Sequence, residues 1–213
     1  HCERVPSLTM MLADAVNATQ TGPLADFVMD DRDRYELKIA GLLHDCGKVT
    51  TPVHVVDKAT KLQTLFDRID LLDTRFEVLK RDQEIATLRA QLALRPVQDV
   101  AGETTLQAQC RQKITALEVD RDFLRQVNLG AESMQEADQQ RVRHIGVTNV
   151  WRNPDGVQTE FLTADEVENL TVRSGTLTAS ERETINYHIV ATIKMLQQLP
   201  WPRHLRHVPE YAG

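Results

Sequence analysis

The sequence predicts a helical fold that contains a long helical hairpin, on three observations. Apolar residues recur at spacings of three and four through most of the chain, the rhythm of helices with one buried face. Aromatic residues make up only 5% of the 213, and Gly and Pro number 9 and 8, a balance that disfavours a β sandwich. From Leu62 onward, Leu65, Ile69, Leu72, Phe76 and Leu79 follow one another in the a/d pattern of a coiled coil.

The elements follow in order. Over residues 1–20, Val5, Leu8, Leu12 and Ala15 share one face, predicted to point inward and to include His1. Pro6 marks a helix start or a kink, and Thr21-Gly22-Pro23 breaks the pattern. Residues 35–47 form the most apolar helix, with Leu37, Ala40, Gly41 and His44 on one face and Gly47 as its terminating cap. The heptad stripe weakens through Ala86, Ala90 and Ala93 and stops at Pro96. A second stripe, Leu106, Cys110, Ile114, Leu117 and Leu124, follows Gly102. Two helices over 63–95 and 104–127 read as an antiparallel hairpin packed on itself, with a dimerising coiled coil as the alternative. Residues 144–162 have strand character around the turn Asn153-Pro154-Asp155-Gly156. Capping boxes at Thr163/Glu166 and Thr178/Glu181 open two more helices. The second runs over about 179–199, with Ile185, Ile189, Ile193 and Leu196 as its apolar side, His188 beside that stripe and Pro200 ending it.

Composition narrows the function classes. Hydrophobic residues at 41% and charged residues at 26% are those of a globular protein. No apolar run approaches the about 18 residues of a membrane helix, and no basic, apolar leader opens the chain. Cys2, Cys46 and Cys110 are too few and too far apart for a disulfide framework or a zinc ribbon, so a reducing, cytoplasmic setting is expected. A net charge of −6 argues against DNA or RNA as partner. An anionic ligand would need a metal or a few placed Lys and Arg side chains. The chain opens on His1 and closes on Gly213, and it reads as a piece of a longer protein.

The candidate site is His44-Asp45, followed by Gly47 and Lys48. Imidazole and carboxylate together suit manganese, iron or zinc, and a carboxylate can bridge two cations where an imidazole cannot. Lys48 could reach a ligand phosphate. A bare His-Asp pair is more often a buried histidine with its partner, and His1 or His188 alone is more often a satisfied core histidine. Three helices that each present an inward histidine shift that balance. His54, His144, His204 and His207 lie in loop-like or polar contexts and take no role. The basic, Pro-rich run from Pro200 to His207 reads as a helix connection, with contact to an anionic ligand as the lesser alternative.

Leu42-Leu-His-Asp-Cys-Gly-Lys48, followed by Asp57-Lys-Ala-Thr-Lys-Leu62, closely resembles the HDxGK motif and the downstream KxxKL segment of the HD-GYP family. His1-Cys-Glu-Arg-Val5 resembles that family's first helix, and Leu177 to Val190, running on to Gly213, resembles the helix carrying its next ligand histidine. These segments cover about half of the chain. The resemblance implies an all-α HD-domain helical bundle binding two or three divalent metal ions, iron or manganese, that hydrolyses the cyclic dinucleotide c-di-GMP. It implies His1, His44, Asp45 and His188 as metal ligands, Asp45 bridging, with Lys48 on the phosphate and Asp45 and Lys48 as the catalytic pair. It also sets the expected organisation: core over 1–62, a helical insertion over 63–176, and core again over 177–213.

Two departures from the family qualify this. Its His-His-Glu and Gly-Tyr-Pro elements normally follow where this chain ends, so the 213 residues alone are expected to bind metal weakly. The interval 63–176 is absent from most members and reads as a native elaboration. A non-catalytic signalling or dimerisation module, with a homodimer through the helical arm, and an HD phosphohydrolase of another nucleotide are the competing readings. An upstream sensory domain is expected by analogy.

Overall fold

A computed structural model describes residues 3–94, 99–130 and 133–213. Its helices are α1 (Arg4–Asn17), α2 (Asp31–Leu43), α3 (Val53–Val56), α4 (Ile69–Leu94), α5 (Val100–Asn128), α6 (Glu136–Thr148), α7 (Ala164–Leu170), α8 (Ala179–Gln197) and α9 (Val208–Tyr211). Strands β1 (Val150–Arg152) and β2 (Gln158–Glu160) pair in a small antiparallel hairpin. The predicted all-α class holds. The chain folds as two compact units, one built from the chain up to Val56 with Ala179–Gly213, the other from Asp57–Thr178.

In the first unit α2 starts where its sequence provides a cap. The Asp30 carboxylate accepts from the backbone of Arg32 and Asp33 at 2.7 and 2.9 Å, and Asp33 accepts from the Asp30 amide at 3.1 Å. Pro6 falls in the first turn of α1, where its missing N–H leaves no helical bond unmade. A Cβ on Gly41 would lie 3.3 Å from Pro6 Cα, so the absence of a side chain there lets the two helices approach. This contact sets the roll of α1 and corrects the predicted stripe. Pro6 and Ala13 are buried, whereas Ala15 is exposed and Leu8 and Leu12 stand 55% and 68% exposed. His1, placed on the same inward face, lies outside the described residues.

A small core of Ala40, Leu196, Val208 and Ala212 joins α2, α8 and α9, with Trp201 and Leu205 packed against it. Glu36, buried on α2, accepts from the His207 amide at 2.6 Å and faces His207 Nδ1 at 3.2 Å. That carboxylate pins the start of α9, a use of His207 with no counterpart in the sequence reading. The buried side of α8 also differs from prediction. Leu196 is buried and Ile185 and Ile193 are half-buried, as predicted, but Ala191 and Thr192 complete the buried side and Ile189 is exposed.

The second unit contains the hairpin. Asp73 pairs with Arg125 and Lys80 with Glu118, so α4 and α5 run antiparallel. Their stripe is satisfied within the chain, where Leu72, Phe76 and Leu124 join Val142, Ile145, Phe161, Leu162 and Leu170 in one core. The heptad reading began too early. Helix α4 starts at Ile69, whose amide the Asp67 carboxylate caps at 3.0 Å. Leu65 is 92% exposed before it, and Leu62 reaches the core from a loop held by Asn128. Helix α5 starts earlier than predicted, at Val100, because Asp99 caps it through the Gly102 amide. The capping box of Thr163 and Glu166 opens α7 as predicted. Gly156, at φ 78°, supplies the left-handed residue of the hairpin turn.

Both lysines of the KxxKL segment are buried here. Lys58 Nζ donates to Asn169 Oδ1 at 2.7 Å, and Lys61 Nζ donates to the carbonyls of Leu170 and Val172 at 3.0 and 2.8 Å. Burial pulls the Lys61 ammonium down from 10.5 to about 8. Between those values the unfolded chain holds the proton more firmly than the folded one, so stability rises with pH in this window. The wild type should gain up to about 3 kcal/mol from pH 7 to pH 10 relative to Lys61→Met. Urea midpoints of the two proteins at pH 7, 8.5 and 10 measure this, and parallel pH profiles would refute it.

Candidate metal centre

Helix α2 ends at Leu43, and the chain tightens into a 3₁₀ turn over Cys46–Thr50. His44 and Asp45 sit at that junction, where the change of pitch lets both side chains face α8. Asp45 is the hub. His44 Nε2 lies 3.1 Å from its Oδ2, Lys48 Nζ 2.8 Å from the same oxygen, and His188 Nε2 3.3 Å from its Oδ1. Four of the five predicted site residues, His44, Asp45, Lys48 and His188, thus come together, and the Asp45 side chain is only 11% exposed. His1 lies outside the described residues. His44, Asp45 and His188 line a cleft of about 400 Å³ with Gly41, Leu37, Ile189 and Tyr211.

Each ring is fixed from behind. His44 Nδ1 faces the Gly41 carbonyl at 2.7 Å, and His188 Nδ1 faces the Ile185 carbonyl. A carbonyl only accepts, so both Nδ1 atoms carry the proton and both Nε2 atoms are turned to Asp45. Backbone carbonyls commonly hold ligand histidines in this way. Two imidazole lone pairs aimed at one carboxylate repel it unless a positive charge stands between them, whether a proton on each ring or a shared cation.

Burial pushes the Asp45 carboxyl up, but the Lys48 hydrogen bond and the charges of His44, Lys48 and His188 outweigh it, holding the group below the usual carboxylate range. It is therefore an anion at neutral pH. Bonds of about 2.0–2.2 Å at right angles place neighbouring donors about 3 Å apart, close to both imidazole–carboxylate separations seen here. Two imidazoles and a carboxylate are donor types that divalent metals take. Among the described residues, no group of three or more His, Cys, Asp or Glu side chains is placed to hold a metal ion.

The model of the HD domain family matches residues 1–118, more than half of the chain. The chain belongs to the HD domain family. That family is all-α, binds divalent metals and lies within a superfamily of metal-dependent phosphohydrolases acting on nucleotide-type substrates. No curated protein and no solved structure matches the chain significantly. No helix among the described residues of this HD domain is long and apolar enough to cross a membrane.

Sequence reasoning missed the groups that hold the centre together. A Cβ on Gly47 would fall 2.2 Å from the His188 carbonyl oxygen and 2.5 Å from the Thr192 amide, so only glycine lets the turn seat against α8. Gly47 is no helix cap; its use is this close approach. Tyr211 carried no motif, and only the packing of α9 brings it to the cleft.

Proposed function

We propose that this HD domain is a metal-dependent phosphodiesterase of HD-GYP type that hydrolyses c-di-GMP. The observation that carries the reading is Asp45, an anion shared by two backbone-fixed imidazoles and one ammonium at the edge of a cleft. His44, Asp45 and His188 would hold the cations, two or three of iron or manganese, with His1 as a further ligand. When bound, they would supply Lewis acidity and acidify a water molecule.

The chain's own groups divide the remaining work. The carbonyls of Gly41 and Ile185 keep both Nε2 atoms presented. Asp45 would bridge two of the cations. Lys48, 35% exposed, is free to swing from Asp45 toward a ligand phosphate and steady its charge. Leu37, Ile189 and Tyr211 offer apolar walls, and about 400 Å³ lies in the range of small-ligand sites. The KxxKL resemblance supports the subfamily, although Lys58 and Lys61 serve packing in this chain.

The test is elemental analysis of a purified parent protein that carries the family's His-His-Glu and Gly-Tyr-Pro elements, beside chromatography of c-di-GMP incubated with it and Mn²⁺ or Fe²⁺. Bound metal with linear pGpG or GMP as product is expected. Metal without c-di-GMP cleavage, but with hydrolysis of another nucleotide, would refute the substrate. A protein that takes up no metal would refute the enzyme.

A further inference from the structure

The hydroxyl of Thr192 departs from the habit of this molecule. In Thr9, Thr74, Thr87 and Thr184 the helical threonine donates to the carbonyl four residues back, at 2.9–3.0 Å. For Thr192 that carbonyl belongs to His188. Its hydroxyl instead leaves the helix, donating to the His44 carbonyl at 3.3 Å and accepting the Gly47 amide at 2.9 Å. Thr192 is 0% exposed, so no water can replace either bond.

The three residues it joins are the ones that set the centre. His44 opens the junction that carries Asp45, Gly47 is the point of closest approach, and His188 lies one turn before Thr192 on α8. The His188 Nε2–Asp45 Oδ1 separation of 3.3 Å therefore depends on how the 3₁₀ turn is seated on α8. One buried hydroxyl, bonded to the His44 carbonyl just before that turn and to the Gly47 amide within it, seats it.

We propose that Thr192 is the positioning residue of this metal centre, holding the His44–Gly47 turn against α8 so that His188 and His44 share Asp45. The proposal rests on the metal reading above. Valine has nearly the shape of threonine without the hydroxyl, and serine has the hydroxyl without the methyl, so the pair separates bonding from packing.

The full chain is titrated with Mn²⁺ alone as wild type, Thr192→Val and Thr192→Ser, and hydrogen exchange of the Gly47 amide is followed without metal. Thr192→Val should weaken Mn²⁺ binding by about 10- to 100-fold, as loss of a supporting partner does, with helical circular dichroism unchanged. Its Gly47 amide should lose protection. Thr192→Ser should keep both the affinity and the protection. Wild-type affinity in Thr192→Val, or failure of Thr192→Ser to the same degree, would overturn the proposal. If the wild type itself takes up no Mn²⁺, the metal reading falls, and the Gly47 amide in the two variants still decides whether the hydroxyl seats the turn.

Discussion

In a parent protein that carries the family's His-His-Glu and Gly-Tyr-Pro elements, Asp45→Ala should lose its metal and all hydrolysis, whereas Lys48→Ala should keep the metal and turn over more slowly. The expectation follows from what each group can do. Both His44 and His188 meet the Asp45 carboxylate, at 3.1 and 3.3 Å, and an anion proposed to bridge two cations has no substitute in a methyl group. Affinity for Mn²⁺ should fall by more than about a hundredfold, beyond what losing an outer-shell partner costs. An ammonium cannot ligate a cation. Lys48 leans on Asp45 Oδ2 at 2.8 Å, so its removal frees a donor and should leave metal content unchanged. The loss should appear in kcat, where stabilisation of phosphate charge is felt. His54→Ala, outside the cleft-lining residues, is the control and should match the wild type. Metal analysis and product formation for the three variants measure this. If Asp45→Ala retained its metal, or Lys48→Ala shed it, the assignment of roles would be wrong.

The largest effect on stability should come from the second unit. Arg75 donates to both oxygens of Glu166 at 2.7 and 2.9 Å and to the Phe161 carbonyl at 2.8 Å. The Glu166 side chain is 3% exposed and also caps the Thr163 amide at 2.8 Å. Arg75→Met removes the charge that makes that burial tolerable and leaves a carboxylate stranded beside the core. Breaking one side of a buried pair costs about 3–5 kcal/mol, and the melting temperature should fall by roughly 6–20 °C. Glu166→Gln keeps an acceptor for the cap while removing the charge, so the double variant Arg75→Met/Glu166→Gln should recover more than half of the loss. Calorimetry of the two variants measures this. A loss below about 1 kcal/mol in the single variant, or no recovery in the double, would show that the pair is not a central support.

Much of this was legible in residues that act locally. Helix class followed from spacing, the hairpin turn from Asn153-Pro154-Asp155-Gly156, and the α7 start from Thr163 and Glu166, because these depend on neighbours within a few positions. His44, Asp45, Lys48 and His188 were legible as candidates because their chemistry is scarce and their motif compact. Periodicity was less informative about direction. It found an apolar stripe on α1 and another on α8, yet Leu8 and Leu12 face outward and Ile189 borders the cleft, since the roll of a helix is set by what it meets.

The sequence by itself determined that this chain is helical, that its hairpin has an apolar seam, and that one His-Asp turn holds its most reactive groups. Local propensity and side-chain chemistry suffice for those. Only the tertiary structure decided that Gly41 and Gly47 are places of close helix approach and that Arg75 neutralises Glu166 across 91 positions. It alone turned Thr192, unremarked in the sequence, toward the backbone of His44 and Gly47 across about 145 positions. Contacts between residues so far apart in sequence depend on how separate elements pack, and no rule of spacing along the chain encodes that.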